Sequence, residues 1–190
     1  WTITWQGKSW EGVSISNDDF PNTQSIYDSL SEHIVNAGGY VEFSNDGSYS
    51  KKPDYIIMVY GETPYAEMFG DIESLDFSST NNEIISIMER LKVDEIPIVS
   101  MFLSGRPLIV ERELNLSDSF VSIWLPGTAV EGINDVVFSN IDNSINYDFK
   151  GKLSYKWPSS ASKQSLIDNQ IVYYPMFDYG FGLNYKTKDE

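Results

Sequence analysis

The chain has 190 residues, 41% of them hydrophobic and 14% aromatic, a formal net charge of −15 and no cysteine. It is long enough for one domain with a full core and too apolar for a disordered chain. The acidic balance argues against nucleic acid and anionic membranes, and no apolar run reaches a membrane span; without cysteine there are no disulfides and no thiolate chemistry.

The elements alternate along the chain. Asn22 or Thr23 can cap a helix running to about Ala37, with Ile26, Tyr27, Leu30 and Ile34 on one face and Gly38-Gly39 at its end. Tyr40-Val41-Glu42-Phe43 reads as a short strand, and Tyr55-Ile56-Ile57-Met58-Val59 as a buried parallel one. Ser79 or Thr80 can cap the next helix, with Ile84, Ile85, Ile87, Met88 and Leu91 facing inward. Strands follow at Ile96–Phe102, where Pro97 is tolerable only at the start, and at Phe120–Trp124. Leu125-Pro126-Gly127-Thr128 reads as a turn with a helix cap, and the helix after it holds Ile133, Val136, Val137 and Phe138. Strands separated by helices predict a mainly parallel sheet with helices on both faces. Residues 1–190 read as one α/β domain, with 139–190 a loop- and aromatic-rich tail packed on the domain or on a partner.

Tyr60-Gly61-Glu62-Thr63-Pro64-Tyr65-Ala66-Glu67-Met68-Phe69-Gly70-Asp71 stands out. It leaves the predicted carboxyl end of a parallel strand, where open α/β sheets place their ligands. Its carboxylates and aromatic rings suit a site better than a connector. The single histidine, His33, falls in a helical stretch and reads as an ordinary helix residue. A metal site built on histidines is excluded, and a Ser-His-Asp triad would have His33 as its only base. Neither G-x-G-x-x-G nor G-x-x-x-x-G-K-[ST] occurs, which argues against a dinucleotide-binding protein. No metal and no cofactor are expected. An acidic surface fits a neutral ligand such as a sugar.

Six landmarks occur in one order: Trp1-Thr2-Ile3-Thr4-Trp5-Gln6-Gly7; Gly61-Glu62-Thr63-Pro64-Tyr65-Ala66-Glu67 with Gly70-Asp71; Ser104-Gly105-Arg106-Pro107-Leu108; Trp124-Leu125-Pro126-Gly127-Thr128; Gly151-Lys152-Leu153 with Trp157-Pro158; and Gly180-Phe181-Gly182-Leu183. The series resembles the second domain of glycoside hydrolase family 3, the β-glucosidases and exo-1,3/1,4-β-glucanases, along almost the whole chain. The resemblance implies a flavodoxin-like three-layer sandwich with about six strands, preceded in the family by a TIM-like barrel that this chain lacks. It implies retaining hydrolysis of terminal β-glucosyl residues from glucans or oligosaccharides. That chemistry uses two carboxyl groups about 5–5.5 Å apart, a nucleophile and an acid/base.

On this resemblance the nucleophile is an aspartate of the barrel, Glu67 is the acid/base, and Trp5 forms one wall of the aglycone subsite. A general acid at neutral pH needs a carboxyl whose pKa is raised by burial or by negative neighbours. Tyr65 and Phe69 on either side of Glu67, with Glu62 and Asp71 nearby, make both causes available. Glu62 is the rival for the role, and otherwise a structural carboxylate at the strand end. Asp71 is expected to fix the loop through backbone hydrogen bonds, Tyr65 is either packing or a sugar contact, and Arg106 is expected to pair with acidic neighbours. The expected partners are a β-glucan or β-glucoside and the barrel domain, in a secreted or periplasmic setting. The chain opens on Trp1 rather than Met, as expected of a processed or excised piece of something longer. The alternative is a non-catalytic module that binds carbohydrate or an interaction partner.

Overall fold

The computed structural model describes residues 16–65, 69–160, 165–167, 170–172 and 174–186. Trp1, Trp5 and Glu67 lie outside the described residues. After a 3-10 turn at Asn17–Asp19, the elements are α1 (Ile26–Asn36), β1 (Ile56–Gly61), α2 (Asn82–Val93), β2 (Ile98–Leu103), α3 (Glu111–Leu116), β3 (Ser119–Ser122), α4 (Glu131–Val137), β4 (Ser165–Ile167) and β5 (Gln170–Val172). Strands β1, β2 and β3 form a parallel sheet in that order, with Val59 opposite Met101 and Met101 opposite Val121. The β4–β5 pair is a separate antiparallel ladder. The α/β class follows the sequence, with three parallel strands among the described residues where the resemblance implies about six.

Alternation along β1 separates the two faces. Ile56 and Met58 pack with Met88, Leu91 and Ile98 beneath α2 and α3, and Tyr60 joins Phe77, Phe102, Leu108, Val110 and Trp157. Ile57 turns the other way, into the cluster of Leu30, Met101, Val130 and Ile133 beneath α1 and α4. Helices thus cover both faces. The crossover helices α2 and α3 share one face, as same-handed crossovers between successive neighbouring strands require.

Several element ends differ from the sequence expectation for local reasons. The α1 cap is Ser25, whose hydroxyl accepts from the Asp28 N–H at 3.1 Å, rather than Asn22 or Thr23. At its other end, Gly38 takes φ 86° and the Gly39 N–H reaches back to the Ile34 carbonyl at 2.9 Å. Tyr40–Phe43 is not a strand: it pairs with no strand among the described residues, and Tyr40 and Phe43 are exposed, Phe43 lying edge-on to Tyr27. Helix α2 begins after Asn81, and α4 after Val130 rather than Thr128. Helix α3, absent from the sequence expectation, fits between β2 and β3 as a short crossover. The aromatic tail returns to the core: Trp157 is buried, its indole N–H donates to the Leu108 carbonyl at 2.7 Å, and its backbone bridges to Phe177.

Candidate functional site

All three sheet strands point the same way, so their carboxyl ends gather at one edge. There β1 ends in Gly61, β2 in Leu103 and β3 in Ser122. The Glu62 N–H donates to the Leu103 carbonyl at 3.0 Å, carrying the ladder one step past β1 and fixing where the Glu loop starts. Gly61 is obligatory at this crossing, because a Cβ there would sit 1.9 Å from the Leu103 carbonyl oxygen.

Two of these strand-end segments interlock. Each oxygen of the Glu62 carboxylate has a neighbour: Oε1 forms an ion pair with Arg106 Nε at 3.2 Å, out of hydrogen-bond alignment, and Oε2 accepts from the Ser104 hydroxyl at 2.5 Å. The side chains are mostly buried, at 12% exposure for Glu62 and 19% for Arg106. Ser104 Oγ also lies 2.6 Å from the Arg106 carbonyl and accepts from the Arg106 backbone N–H at 3.1 Å. A hydroxyl carries one hydrogen, so its two acceptors share it. Arg106 Nη1 donates to the Gly70 carbonyl at 2.5 Å, and its Cζ stands 3.6 Å above the centre of the Tyr65 ring. That is a guanidinium stacked on an aromatic face.

Tyr65 fits against glycine on two sides. A Cβ on Gly105 would come within 2.8 Å of its hydroxyl, and one on Gly70 within 3.2 Å of the ring. Burial pushes the Tyr65 phenol above its ordinary value; the Glu62 carboxylate adds to this, and Arg106 opposes it. On β1, Tyr60 lies in the core, its hydroxyl donating to Ser100 Oγ at 3.1 Å and its phenol pushed up mainly by burial. At the end of β3, Trp124 adopts φ 50°, a left-handed conformation that is strained for a bulky residue. Its ring packs against Trp157 and Tyr155, and Leu125 is the next neighbour of Gly105.

Of the residues singled out from sequence, Glu62, Tyr65 and Arg106 therefore meet, and Arg106 finds its acidic neighbour in Glu62. Asp71 is exposed and joins none of these contacts among the described residues. His33 lies away from this edge on α1, stacked on Phe138 with centroids 4.7 Å apart. Ser104 and the Gly70 carbonyl join this group without having been singled out from the sequence. The signal for Ser104 was its place one residue past the strand, before Gly105-Arg106-Pro107. A backbone carbonyl leaves no signal in side-chain type. Beyond Tyr65 the loop exposes three large apolar side chains, Phe69, Ile72 and Leu75. Among the described residues no three His, Asp or Glu side chains are grouped to hold a metal ion, and no helix is long and apolar enough to cross a membrane.

The chain superposes with a TM-score of 0.82 on the crystal structure of the exo-1,3/1,4-β-glucanase of a Pseudoalteromonas species; identity is 46%, over 94% of this chain and 22% of that one. Among curated proteins it is 25% identical to the lysosomal beta glucosidase of Dictyostelium discoideum, over 98% of this chain and 24% of that protein. It is 23% identical to the periplasmic beta-glucosidase of Salmonella typhimurium strain LT2, over 73% of this chain and 20% of that protein. The chain thus spans a quarter or less of the length of these relatives. Residues 3–185 match the model of the glycosyl hydrolase family 3 C-terminal domain, and the chain belongs to that family.

Proposed function

We propose that this chain is the acid/base-contributing domain of a retaining β-glucosidase or exo-β-glucanase that removes terminal β-D-glucosyl residues from glucans or oligosaccharides. Glu67 is the proton donor and acceptor, and Trp5 a wall of the aglycone subsite. A barrel domain supplies the nucleophilic aspartate and most of the contacts to the sugar at the cleaved bond. The observation that carries this reading is the anchoring of the Glu loop at the carboxyl edge of the parallel sheet, the place open α/β folds reserve for ligands. Both Glu62 oxygens are engaged by Arg106 and Ser104, so the rival carboxylate is occupied in holding the loop. That leaves Glu67 as the loop's other glutamate. The exposed Phe69, Ile72 and Leu75 suit a surface that meets a second domain. The relatives named lysosomal and periplasmic support a secreted or periplasmic setting.

The test is hydrolysis of an aryl β-glucoside by this chain alone and joined to a family 3 barrel. The expected outcome is no turnover alone, since a nucleophile and an acid/base act as a unit. Joined to the barrel it turns over, and Glu67→Gln slows that turnover. Turnover by the chain alone, abolished by Glu67→Gln, would show a complete site within these residues and overturn the two-domain reading.

A further inference from the structure

The Glu loop leaves the sheet at Glu62, and Tyr65 and Gly70 lie on either side of its second glutamate in the chain. One guanidinium touches all three places: Nε at the Glu62 carboxylate, Nη1 at the Gly70 carbonyl and the flat face on the Tyr65 ring. Arg106 is itself immobilised, since its backbone N–H and carbonyl both meet Ser104 Oγ, the hydroxyl that also holds Glu62. It comes from a different strand end from the loop, so the contacts cross between β1 and β2 rather than forming within one turn.

We propose that Arg106 is a positioning residue that clasps both ends of the Glu62–Gly70 loop and so sets the aim of the acid/base that the loop carries. The inference rests on the reading of Glu67 as that acid/base. Arg106 acts through the loop and touches no substrate. The job needs arginine: a planar fork can serve a carboxylate and a carbonyl at once while stacking on a ring, and lysine's compact ammonium cannot. Charge alone does not suffice, so Arg106→Lys is expected to fail much as Arg106→Ala does. Gly105 and Gly70 leave the room in which Tyr65 lies, since a Cβ at Gly105 would come within 2.8 Å of its hydroxyl and one at Gly70 within 3.2 Å of its ring.

The test compares kcat/KM of the barrel-joined enzyme on 2,4-dinitrophenyl β-glucoside, whose leaving group needs no proton, and on laminaribiose, whose leaving group does. General acid assistance contributes about 10²–10⁴-fold. Arg106→Lys and Arg106→Ala are expected to lower the laminaribiose value at least about 10-fold and leave the dinitrophenyl value within about threefold. Equal losses on both substrates, or no loss on either, would overturn the proposal. Glu67→Gln run alongside separates the two ideas: without leaving-group dependence in that variant, the acid/base reading itself fails. Should the arginine variants not fold, Ser104→Ala removes only the hydroxyl that braces Glu62 and Arg106, and a smaller loss of the same substrate pattern is expected. On this chain alone, the exposed Phe69 makes chymotrypsin cleavage a readout of the clasp that needs no catalysis. Cutting there must be faster in Arg106→Lys than in the unmodified chain; an unchanged rate would remove the clasp whatever Glu67 does.

Discussion

Glu113 is fully buried on α3, and neither of its carboxylate oxygens has a hydrogen-bond partner among the described residues. Burial pushes its carboxyl above the usual range; its own backbone and then Arg112 oppose the shift, and Asp76 adds to it. A carboxyl raised in the folded state binds its proton more tightly there than in the unfolded chain. Its contribution is therefore present in full below the unfolded pKa and is lost as pH rises through the folded one. Glu113→Gln, which cannot ionise, is expected to remove that loss, so that its stability relative to the unmodified chain is greater at pH 8 than at pH 5. Urea titrations of both proteins at pH 5 and pH 8 check this; an equal difference at the two pH values would show that the carboxylate is already compensated. Nothing in Glu111-Arg112-Glu113-Leu114 marks the second glutamate as the buried one, since burial is decided by what packs over the helix. Glu62 and Glu67 differ in legibility for a related reason. Sequence places both in one loop, and only the arrival of Ser104 and Arg106 from another strand gives Glu62 its partners.

Among the elements, α1 and α2 were legible because their apolar residues recur at helical spacing over three turns, and each buries its Leu30 or its Ile85, Met88 and Leu91 as that spacing requires. Their starts were less so, because Asn22, Thr23 and Ser25 are all competent caps and the choice depends on which one meets a free N–H. Ser25 accepts from Asp28 N at 3.1 Å, and its hydroxyl reaches the Asp28 carboxylate at 2.7 Å. Ser25→Ala is expected to cost about 1 kcal/mol of stability, measured as a shift of the urea midpoint. Thr23→Ala, whose hydroxyl bonds only the Phe20 carbonyl, is expected to cost less, and the reverse order would place the cap at Thr23. Tyr40–Phe43 has strand composition without a strand's partner. β-propensity records fit to a half-buried pleated surface, and these residues have no such neighbour among the described residues. The short α3 escaped notice because six residues carry less than two turns of periodicity and Val110 offers no side-chain cap.

For the molecule as a whole, the tail beyond residue 139 completes the core that the strands begin. Trp157 is buried with Tyr60, Phe77, Phe102, Leu108 and Val110, and its indole N–H satisfies the Leu108 carbonyl just past the Arg106 turn. Trp157→Ala is expected to cost about 3–5 kcal/mol in denaturant unfolding, the range for deleting a large buried aromatic. A cost under about 1 kcal/mol would mean that the tail is no part of the core. The class of fold, the strand whose end bears the Glu loop and the ordered motifs that mark the family are all legible in the order of residues along the chain. Those depend on local periodicity, on glycines required by close approach, and on residue types read in order along one chain. Folding is what brings Ser104 and Arg106 to Glu62, lets one guanidinium reach the Gly70 carbonyl and the Tyr65 ring as well, and puts Glu113 and Trp157 inside. Those contacts join residues between 36 and 49 positions apart. They exist because parallel strands bring their ends to one edge and the tail folds back over it, and no local pattern encodes that meeting.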